Sequence, residues 1–323
     1  MPSYLVTGVA GFIGSSIAEA LLQRGDRVRG IDNFSTGRPE NLQRLRGLEF
    51  VQGDLADASA CARACDGIDV IFHEAALASV PRSLRDPVAS NRANVDATVQ
   101  LLTSAQRARV KRVLYAGSSS VYGNTPALPK REDMAPDPVS PYAVSKAAGE
   151  YYLRSFARVF GLETVTLRYF NVFGPYQDPG SPYSAVLARF INLMLNGQEP
   201  TIFGDGEQSR DFTFVENVVQ GNLLAAQAPA AAVSGRVFNL ATGTRVSLNA
   251  TVELLRELTG YAGRINHTPE RRGDVKHSLA DIRLAAEGFG YRPGVSFEEG
   301  LSRTVEWYRG ATMPSELPSQ MLA

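Results

Sequence analysis

A glycine-rich turn near the amino terminus constrains the fold of this chain more than any other feature. The stretch Thr7-Gly-Val-Ala-Gly-Phe-Ile-Gly14 follows the apolar run Tyr4-Leu5-Val6 and opens a helical pattern that continues to Gln23. The first two glycines allow a tight turn and a close approach of the backbone to a pyrophosphate, and the third allows a helix to pack closely on a sheet. The helix amino terminus adds amide donors and the positive end of its dipole. The sequence therefore predicts a dinucleotide-binding strand–turn–helix unit.

Strand and helix patterns alternate through the first half of the chain. The predicted strands cover residues 4–6, 27–31, 49–52, 70–72, 112–116 and 163–168, with a returning strand at 237–240, and the predicted helices cover 13–23, 60–65, 94–108 and 142–160. Such alternation implies right-handed crossovers and a mostly parallel sheet with helices on both faces. We therefore predict an α/β protein with a doubly wound parallel sheet, a Rossmann fold.

The regular alternation ends after Asn171, where Gly and Pro become frequent between shorter helical patterns. This change predicts a smaller second lobe on the carboxyl ends of the strands. We expect residues 1–172, with a returning segment at about 213–245, to form the dinucleotide-binding domain, and residues 173–212 and 246–310 to form a substrate-binding lobe. Residues 311–323 contain two prolines and no periodicity, so we expect a mobile tail.

Charge and composition exclude several partners. The 323 residues include 33 basic and 33 acidic side chains, so the net charge of zero gives no basic field for nucleic acid and no polybasic membrane anchor. No apolar run approaches the roughly 20 residues of a membrane-spanning helix, and no signal-peptide pattern opens the chain, so we expect a cytoplasmic protein. Cys61 and Cys65 are interpreted as free thiols. The three histidines are too scattered to indicate a metal site.

Asp32, at the end of the second predicted strand, indicates which dinucleotide binds. A carboxylate there accepts hydrogen bonds from a ribose 2′-hydroxyl and repels a 2′-phosphate, which favours NAD over NADP. Arg38 lies close enough in sequence to weaken this argument. Asp54, after the third strand, is placed to contact the adenine edge or, equally, to cap a helix.

Tyr142 and Lys146 are candidate catalytic residues because they lie four positions apart in a helix that a proline opens, and so share one face. A nearby cation favours the phenolate, so such a pair can transfer protons near neutral pH. The spacing alone is common by chance. A serine run, Ser118-Ser119-Ser120, adds hydroxyl groups, although a plain turn at a strand end would also explain it.

Taken together, five motifs resemble the extended short-chain dehydrogenase/reductase superfamily from about residue 1 to residue 310. They are Thr7-Gly-x-x-Gly-x-x-Gly14, Asp32-Asn33-x-Ser35-Thr36-Gly37, Ser118-Ser-Ser-Val-Tyr-Gly123, Tyr142-x-x-x-Lys146 and Arg168-Tyr-Phe-Asn171. Further matches at residues 171–175, 177–179, 204–211 and 273–281 are most similar to bacterial nucleotide-sugar 4-epimerases, particularly those that act on UDP-N-acetylglucosamine.

The resemblance implies roles for individual residues. It makes Tyr142, Lys146 and Ser118 catalytic. It implies contacts with NAD for Gly8, Gly11, Phe12, Ile13, Gly14, Asp32, Asn33, Ser35, Thr36, Gly37, Asp54, Leu55, Ala75, Tyr142, Lys146 and Tyr169. It implies contacts with the UDP-sugar for Ser118, Ser119, Ser120, Tyr142, Asn171, Thr201, Phe203, Arg210, Arg271, Asp274 and Ser278, with no metal. Without the resemblance, each arginine is more simply interpreted as a surface ion-pair partner.

The implied activity is 4-epimerisation of UDP-GlcNAc and UDP-GalNAc, and of UDP-Glc and UDP-Gal, through a 4-keto sugar with tightly bound NAD. Dehydratases and decarboxylases of the superfamily carry a carboxylate beside the catalytic hydroxyl, where this chain has Ser119 and Ser120. A UDP-uronate 4-epimerase, a nucleotide-sugar reductase and a catalytically silent NAD-binding scaffold stay open as alternatives. A uronate would require a cation near the sugar C6, and the sequence does not show where Arg82 or Arg85 points.

The resemblance also implies substrate breadth and an oligomeric state. Family members restricted to UDP-glucose and UDP-galactose have a bulky tyrosine at the position of Ser278, so the serine should leave room for an acetamido group; a polar loop residue that points elsewhere is the alternative. Family members pair the helices at about 94–108 and 143–160 into a four-helix interface, which predicts a homodimer.

Overall fold

The computed structural model describes residues 2–178, 186–270 and 276–311. The strands are β1 Ser3–Thr7, β2 Arg27–Asp32, β3 Glu49–Gln52, β4 Val70–His73, β5 Arg112–Ser118, β6 Glu163–Tyr169, β7 Val172–Phe173, β8 Thr201–Phe203, β9 Ser209–Arg210, β10 Thr213–Phe214, β11 Arg236–Leu240, β12 Val246–Ser247 and β13 Asn266–Thr268. The predicted mobile tail lies outside the described residues, except for Ala311.

Helices cover both faces of the main sheet and build the second lobe. They are α1 Phe12–Gln23, α2 Ala58–Cys65, α3 Val80–Arg85, α4 Pro87–Asn91, α5 Ala97–Arg107, α6 Pro141–Phe160, α7 Val186–Leu195, α8 Val215–Gln227, α9 Ala230–Val233, α10 Leu248–Thr259, α11 Arg283–Phe289 and α12 Phe297–Gly310. Short 3₁₀ turns occupy Pro39–Leu42 and Ser119–Tyr122, and a π-helical turn occupies Arg92–Asp96 between α4 and α5.

Seven parallel strands form the main sheet in the order β11-β6-β5-β4-β1-β2-β3. The chain builds outward from β1 in one direction and then returns to build outward from β4 in the other, so the order reverses between these neighbours. Ligands of such sheets bind outside the carboxyl ends of the strands at this reversal. The predicted α/β class and doubly wound parallel sheet are confirmed.

Alternating side chains of the strands supply the two cores of this sheet. In β1, Tyr4 and Val6 belong to the core beneath α1 and α8, whereas Leu5 belongs to the core beneath α2 and α5. Strands covered on both faces are expected to be continuously apolar, as β1 is between its terminal hydroxyl residues. Cys61 and Cys65 are free, buried thiols in the second of these cores, as the sequence predicted.

A third core, built around packed phenylalanines, holds the second lobe together. Phe173, Phe212, Phe214 and Phe297 lie with ring centroids 5.3–6.3 Å apart, among side chains of α7, α10 and α12. Two short pairings, β8 with β13 and β9 with β12, belong to the same region. The exact domain boundaries stay a prediction. No helix in the described ranges is both long and apolar enough to cross a membrane.

The predicted helix at 94–108 differs from the structure at its start. The chain is helical from Pro87, and the π turn at Arg92–Asp96 interrupts the α-helical pattern before α5. Such turns insert one residue into a helix and often occur at functional sites. The buried Asn94 lies inside this turn, and its side chain bonds both backbone groups of Leu77 and the hydroxyl of Ser145.

Candidate active site

Tyr142 and Lys146 occupy the first turns of α6, at the carboxyl edge of the sheet. Pro141 takes the first helical position, and the Oγ of Ser140 caps the helix by accepting a bond of 3.2 Å from the amide of Ala143. This start follows from a proline whose fixed φ suits the first turn and a serine that satisfies a free amide. The predicted one-turn separation is confirmed by the helix.

Lys146 is anchored to the neighbouring strand. Its Nζ donates a bond of 2.9 Å to the carbonyl of Ala116 in β5 and lies 4.9 Å from the centre of the Tyr115 ring. The side chain is 3% exposed. Burial lowers the pKa of Lys146 to about 8, and the carboxylates of Glu74 and Glu150 act in the opposite direction. The ammonium is therefore held in place but close to losing its proton near neutral pH.

The electrostatics of Tyr142 differ from the sequence-based expectation. Burial raises the pKa of the Tyr142 phenol, and a hydrogen bond with the side chain of Ser118 opposes that rise. The sequence led us to expect that Lys146 would make the phenol acidic. In the protein by itself, removal of the phenol from water outweighs the Ser118 bond, while Lys146 Nζ bonds the Ala116 carbonyl.

The serine run forms a small hydroxyl cluster at the end of β5. Ser118 caps the following 3₁₀ turn, since its Oγ accepts bonds from the amide of Ser120 at 3.2 Å and from the Ser120 hydroxyl at 2.8 Å. Ser118, Ser119 and Ser120 are all partly exposed. The Ser118 hydroxyl also bonds the phenol of Tyr142, and the run forms the turn at a strand end that the sequence left open as its structural role.

The glycine turn has the shape that a pyrophosphate requires. Gly8 has φ of +65°, and a Cβ there would lie 2.8 Å from the backbone of Ala75; a Cβ at Gly14 would lie 2.3 Å from the carbonyl oxygen of Gly8. Gly11 caps α1 without any side-chain bond, which leaves the first amides of α1, beginning at Phe12 and Ile13, to a ligand. The predicted dinucleotide turn is therefore present in detail.

Asp32 lies where an adenosine ribose would be expected. Its carboxylate is 8% exposed and accepts bonds from the amides of Ala10 at 3.0 Å and Phe34 at 2.8 Å. Burial raises the pKa of Asp32, and these bonds oppose the rise. A Cβ at Gly37 would lie 2.9 Å from both carboxylate oxygens, so the missing side chain keeps them accessible. This cradle fits NAD.

The neighbouring residues predicted to bind the cofactor have local structural roles as well. Asn33 donates to Asp54 at 3.1 Å and accepts from the amide of Ser35 at 2.9 Å, which shapes the loop that contains Thr36. Asp54 does not cap α2, because Asp57 does. This removes the alternative role considered for Asp54. The side chain of Leu55 is buried in the core beneath α2 and α5.

Two predicted groups lie beside Lys146 and the glycine turn. The amide of Ala75 donates a hydrogen bond of 3.1 Å to Thr7 Oγ1. Tyr169, at the end of β6, donates through its hydroxyl to Glu74 at 2.9 Å and accepts from Asn222 at 2.8 Å. Residues from β1, β6 and α8 and from the loop after β4 therefore meet at the carboxyl edge of the sheet.

A cavity of about 280 Å³ in the second lobe is lined by most of the residues predicted to bind the nucleotide part of the substrate. Asn171, Thr201, Phe203 and Arg210 all line it. Arg210 also donates to the carbonyls of Ser209 and Lys276, at 3.0 and 3.1 Å. An apolar wall with two guanidinium groups, Arg189 being the second, suits an aromatic base and a diphosphate.

Ser278 does not itself line this cavity, but its hydroxyl contacts Asn171, which does. Its Oγ donates to Asn171 Oδ1 at 3.4 Å and accepts from the amide of Asp211 at 3.3 Å. The residue is 9% exposed. Of the remaining residues predicted to bind substrate, Arg271 and Asp274 lie outside the described residues.

Several residues of this site were not predicted from the sequence. Arg189, Phe190 and Gln208 line the cavity, and Glu74 and Asn94 lie around Lys146 and its helix. Glu74 lies two residues after the predicted strand 70–72, and a carboxylate so close to a strand end is the signal that could have identified it. Asn94 and Arg189 lie within helical patterns, where nothing in the sequence distinguishes them from surface residues.

Comparison with known proteins agrees with this geometry. The model of the NAD dependent epimerase/dehydratase family matches residues 4–241. A UDP-glucose 4-epimerase of Mycolicibacterium smegmatis is 40% identical, covering 94% of this chain and 98% of its own length. A UDP-glucuronate 4-epimerase of Thermodesulfobacterium geofontis is 34% identical, with coverage of 95% and 96%.

Among solved structures, the UDP-N-acetylglucosamine 4-epimerase of Methanobrevibacter ruminantium, in complex with UDP-N-acetylmuramic acid, has a TM-score of 0.90 and 41% identity, covering 96% of this chain and 98% of its own. The chain belongs to the NAD dependent epimerase/dehydratase family. The resemblance recognised in the sequence, the enzyme class and NAD as cofactor are thereby confirmed.

Proposed function

We propose that the chain is a UDP-sugar 4-epimerase that interconverts UDP-GlcNAc with UDP-GalNAc and UDP-Glc with UDP-Gal. The observation that carries the proposal is the grouping of Tyr142, Ser118 and Lys146 at the reversal point of a sheet that also carries a dinucleotide turn. Relatives that act on glucose, glucuronate and N-acetylglucosamine forms of UDP-sugars support the general activity. The identity of the sugars that this chain epimerises is a proposal.

The residues divide the reaction between them. When bound, NAD supplies the acceptor, and later the donor, of the hydrogen at the sugar C4. Tyr142 takes the proton of the 4-hydroxyl at its phenol oxygen and returns it after the sugar has turned over. Ser118 and Ser120 orient that hydroxyl, and Lys146 provides the fixed positive charge that the buried phenol needs to ionise. Because the reaction ends without net oxidation, the protein gains nothing by releasing the cofactor.

The breadth of the substrate rests on Ser278. Its hydroxyl donates to Asn171, which lines the nucleotide cavity, and we assign to this position a contact with the sugar that a larger side chain would obstruct. Asn171, Arg210, Arg271 and Asp274 are assigned to the diphosphate and ribose. Thr201 and Phe203 are assigned to the uracil.

We also propose a homodimer, built on an apolar surface of α3, α4 and α6. The exposed fractions are 64% for Leu84, 76% for Val88, 57% for Tyr151, 68% for Val159 and 53% for Phe160. These side chains lie on helices that pack against one another, and exposed apolar surface of this kind is typical of protein interfaces. In α5, which was expected to contribute, the fully exposed residues are polar or charged, so α6 with α3 and α4 is the better candidate surface.

A panel of UDP-sugars, incubated with the purified protein and analysed for C4 epimers, tests the proposal. Conversion of UDP-GlcNAc and UDP-GalNAc in both directions is expected, and absence of any C4 epimer would refute it. The same panel includes UDP-glucuronate, because relatives with that activity are 34% identical. Exclusive conversion of UDP-glucuronate would replace the proposed substrate and would direct attention to Arg82 and Arg85 in α3, which packs against α6.

The alternative function outside enzymes is a catalytically silent NAD-binding scaffold. Such a protein would not need the tyrosine, serine and lysine together, and it would bind NAD but form no C4 epimer from any sugar of the panel. The epimer assay therefore separates the two functions directly.

A further inference from the structure

Glu74 is a partly buried carboxylate of the site that the proposed reaction does not use. It follows β4 directly, and its Oε1 accepts a bond of 2.9 Å from the hydroxyl of Tyr169. Asn222 of α8 donates to the same hydroxyl at 2.8 Å, which fixes the tyrosine. On the other side, Ala75 is held against Gly8 and donates to Thr7. Both the backbone and the side chain of Glu74 are therefore fixed.

β4 and β5 pair in register up to His73 and Tyr115, so Glu74 follows beside Ala116, whose carbonyl accepts the bond from Lys146 Nζ. The charges of Glu74 and Lys146 therefore act on each other. The ammonium is 3% exposed and has the Ala116 carbonyl as a hydrogen-bond acceptor. A carbonyl dipole replaces only part of the hydration that a buried cation loses, and the balance must come from negative charge. Two carboxylates, Glu74 and Glu150, act on Lys146 in this way.

Glu150 is already committed to another cation. It lies one turn after Lys146 on α6 and forms a two-point ion pair with Arg168, with distances of 2.9 Å from Nε and 2.7 Å from Nη2. Arg168 and Glu150 therefore largely neutralise each other. The cluster of Lys146, Arg168, Glu150 and Glu74 contains two cations and two carboxylates, and it is neutral only while Glu74 is ionised.

We propose that Glu74 is a positioning residue that keeps Lys146 in the ammonium form at working pH, with Tyr169 and Asn222 as the supports that aim its carboxylate. Glu74 acts on the reaction through Lys146 and not by contact with the sugar. If the carboxylate is removed, a buried positive charge is left uncompensated, and the lysine relieves this by losing its proton.

The direction of the pH effect follows from the groups that face Glu74. These are Tyr169 from β6 and Lys146 from α6, while the adjacent His73 points into the core with a pKa lowered by burial to about 3, and so carries no charge. Burial raises the pKa of Glu74 to about 7, and the Tyr169 bond and Lys146 oppose this rise. Between the pKa values of Glu74 and Lys146, about 7 and about 8, each partner is more than half in its charged form. Loss of the Glu74 charge moves the deprotonation of Lys146 to lower pH.

The chain offers a direct measurement, because it contains only four lysines, Lys111, Lys130, Lys146 and Lys276. Full-length protein labelled with carbon-13 at the lysine ε-carbon gives four signals, and the spectrum of Lys146→Arg assigns the relevant one. In Glu74→Gln we expect the midpoint of the Lys146 titration to fall by about one pH unit or more, the range for loss of a close opposite charge.

A matched control is Glu132→Gln. Glu132 is also a partly buried carboxylate of raised pKa, and it accepts a hydrogen bond of 2.7 Å from the backbone amide of Asn239. Its charge acts on Arg168 rather than on Lys146. Its Lys146 signal should titrate as in the wild type. Glu74→Asp, which keeps the charge on a shorter side chain, should restore at least half of the shift and serves as the working variant if Glu74→Gln does not fold. Three outcomes would overturn the proposal. The Lys146 midpoint could stay unchanged in Glu74→Gln, the midpoint in Glu74→Asp could stay as low as in Glu74→Gln, or Glu132→Gln could shift the midpoint as much as Glu74→Gln does.

A second arm measures turnover against pH and rests on the proposed function. The alkaline limb of the Glu74→Gln profile should move down by the same interval as the Lys146 signal. If no sugar is epimerised by the wild type, the proposed function fails while the titration still decides the role of Glu74. If the titration moves but the alkaline limb does not, Lys146 is not the group that limits turnover at high pH, and the mechanistic part of the inference is overturned.

Discussion

Replacement of Tyr142 by phenylalanine separates the chemistry of the site from its architecture. The substitution removes one oxygen and keeps the aromatic ring in the first turn of α6. The hydrogen bond with Ser118 is the interaction of the phenol that would be lost. A hydrogen bond of this kind contributes about 1 kcal/mol to stability, so the protein should still fold. Burial of the phenol reduces even this cost, because phenylalanine does not require hydration.

The effect on turnover should be much larger. Removal of a positioned general acid/base typically costs between about 100-fold and 10,000-fold in rate. A loss of 100-fold corresponds to about 2.7 kcal/mol of transition-state stabilisation. No other described hydroxyl is both in contact with Ser118 and on the same helix face as Lys146, so we expect a loss of at least about 100-fold in kcat.

The assay follows C4 epimers after incubation with UDP-GlcNAc and compares three proteins. Tyr151→Phe is the matched control, since Tyr151 lies on the same helix, is 57% exposed and should keep wild-type turnover. Thermal unfolding, bound NAD and affinity for the UDP-sugar are measured in parallel and should change little in Tyr142→Phe. The reasoning is refuted if Tyr142→Phe keeps more than about a tenth of wild-type kcat, or if it loses bound NAD and stability to the same degree as activity.

Four further outcomes are expected. The protein should purify with NAD, because the reaction returns the cofactor to its starting state; a nicotinamide-free protein that responds to NADP instead would contradict the argument from Asp32. Lys146→Ala should reduce both NAD retention and kcat, and if neither falls, Lys146 is not part of the site. Ser278→Tyr should abolish turnover of acetylated substrates and spare UDP-glucose, with Ser278→Ala as the control that keeps the space, and equal losses on both classes would exclude a steric role. Light scattering should give a dimer mass that Leu84→Glu and Val88→Glu shift toward the monomer, and a monomeric wild type at micromolar concentration would exclude the dimer.

Local features of the sequence predicted much of the fold. The bounds of the third strand and the carboxyl ends of α1, α2 and α6 agree with the structure, because apolar runs, glycines and caps act over a few neighbouring residues. The π turn at Arg92–Asp96 was not predicted. It depends on Asn94 reaching Leu77 and Ser145, which are distant in sequence.

The parts of the candidate site that the sequence predicted are those whose residues belong to short, recognisable motifs. Tyr142 with Lys146, the glycine turn and Asp32 are of this kind. The direction of the Tyr142 pKa shift was not predictable, because burial is a property of the whole fold and outweighs the hydrogen bond with Ser118. Glu74 was not predicted, because its position after a strand does not show that its carboxylate meets Tyr169, 95 positions away.

The sequence by itself determined the class of fold and the glycine turn, and it placed the candidate pair Tyr142 and Lys146 one turn apart, since these depend on short-range geometry within single elements. Only the tertiary structure decided which charges meet and which side chains border the nucleotide cavity. Ser278 contacts Asn171 across 107 positions, and Tyr169 contacts Glu74 across 95. Parallel crossovers bring such distant strand ends to one edge of the sheet, where removal from water then sets the charge of every group.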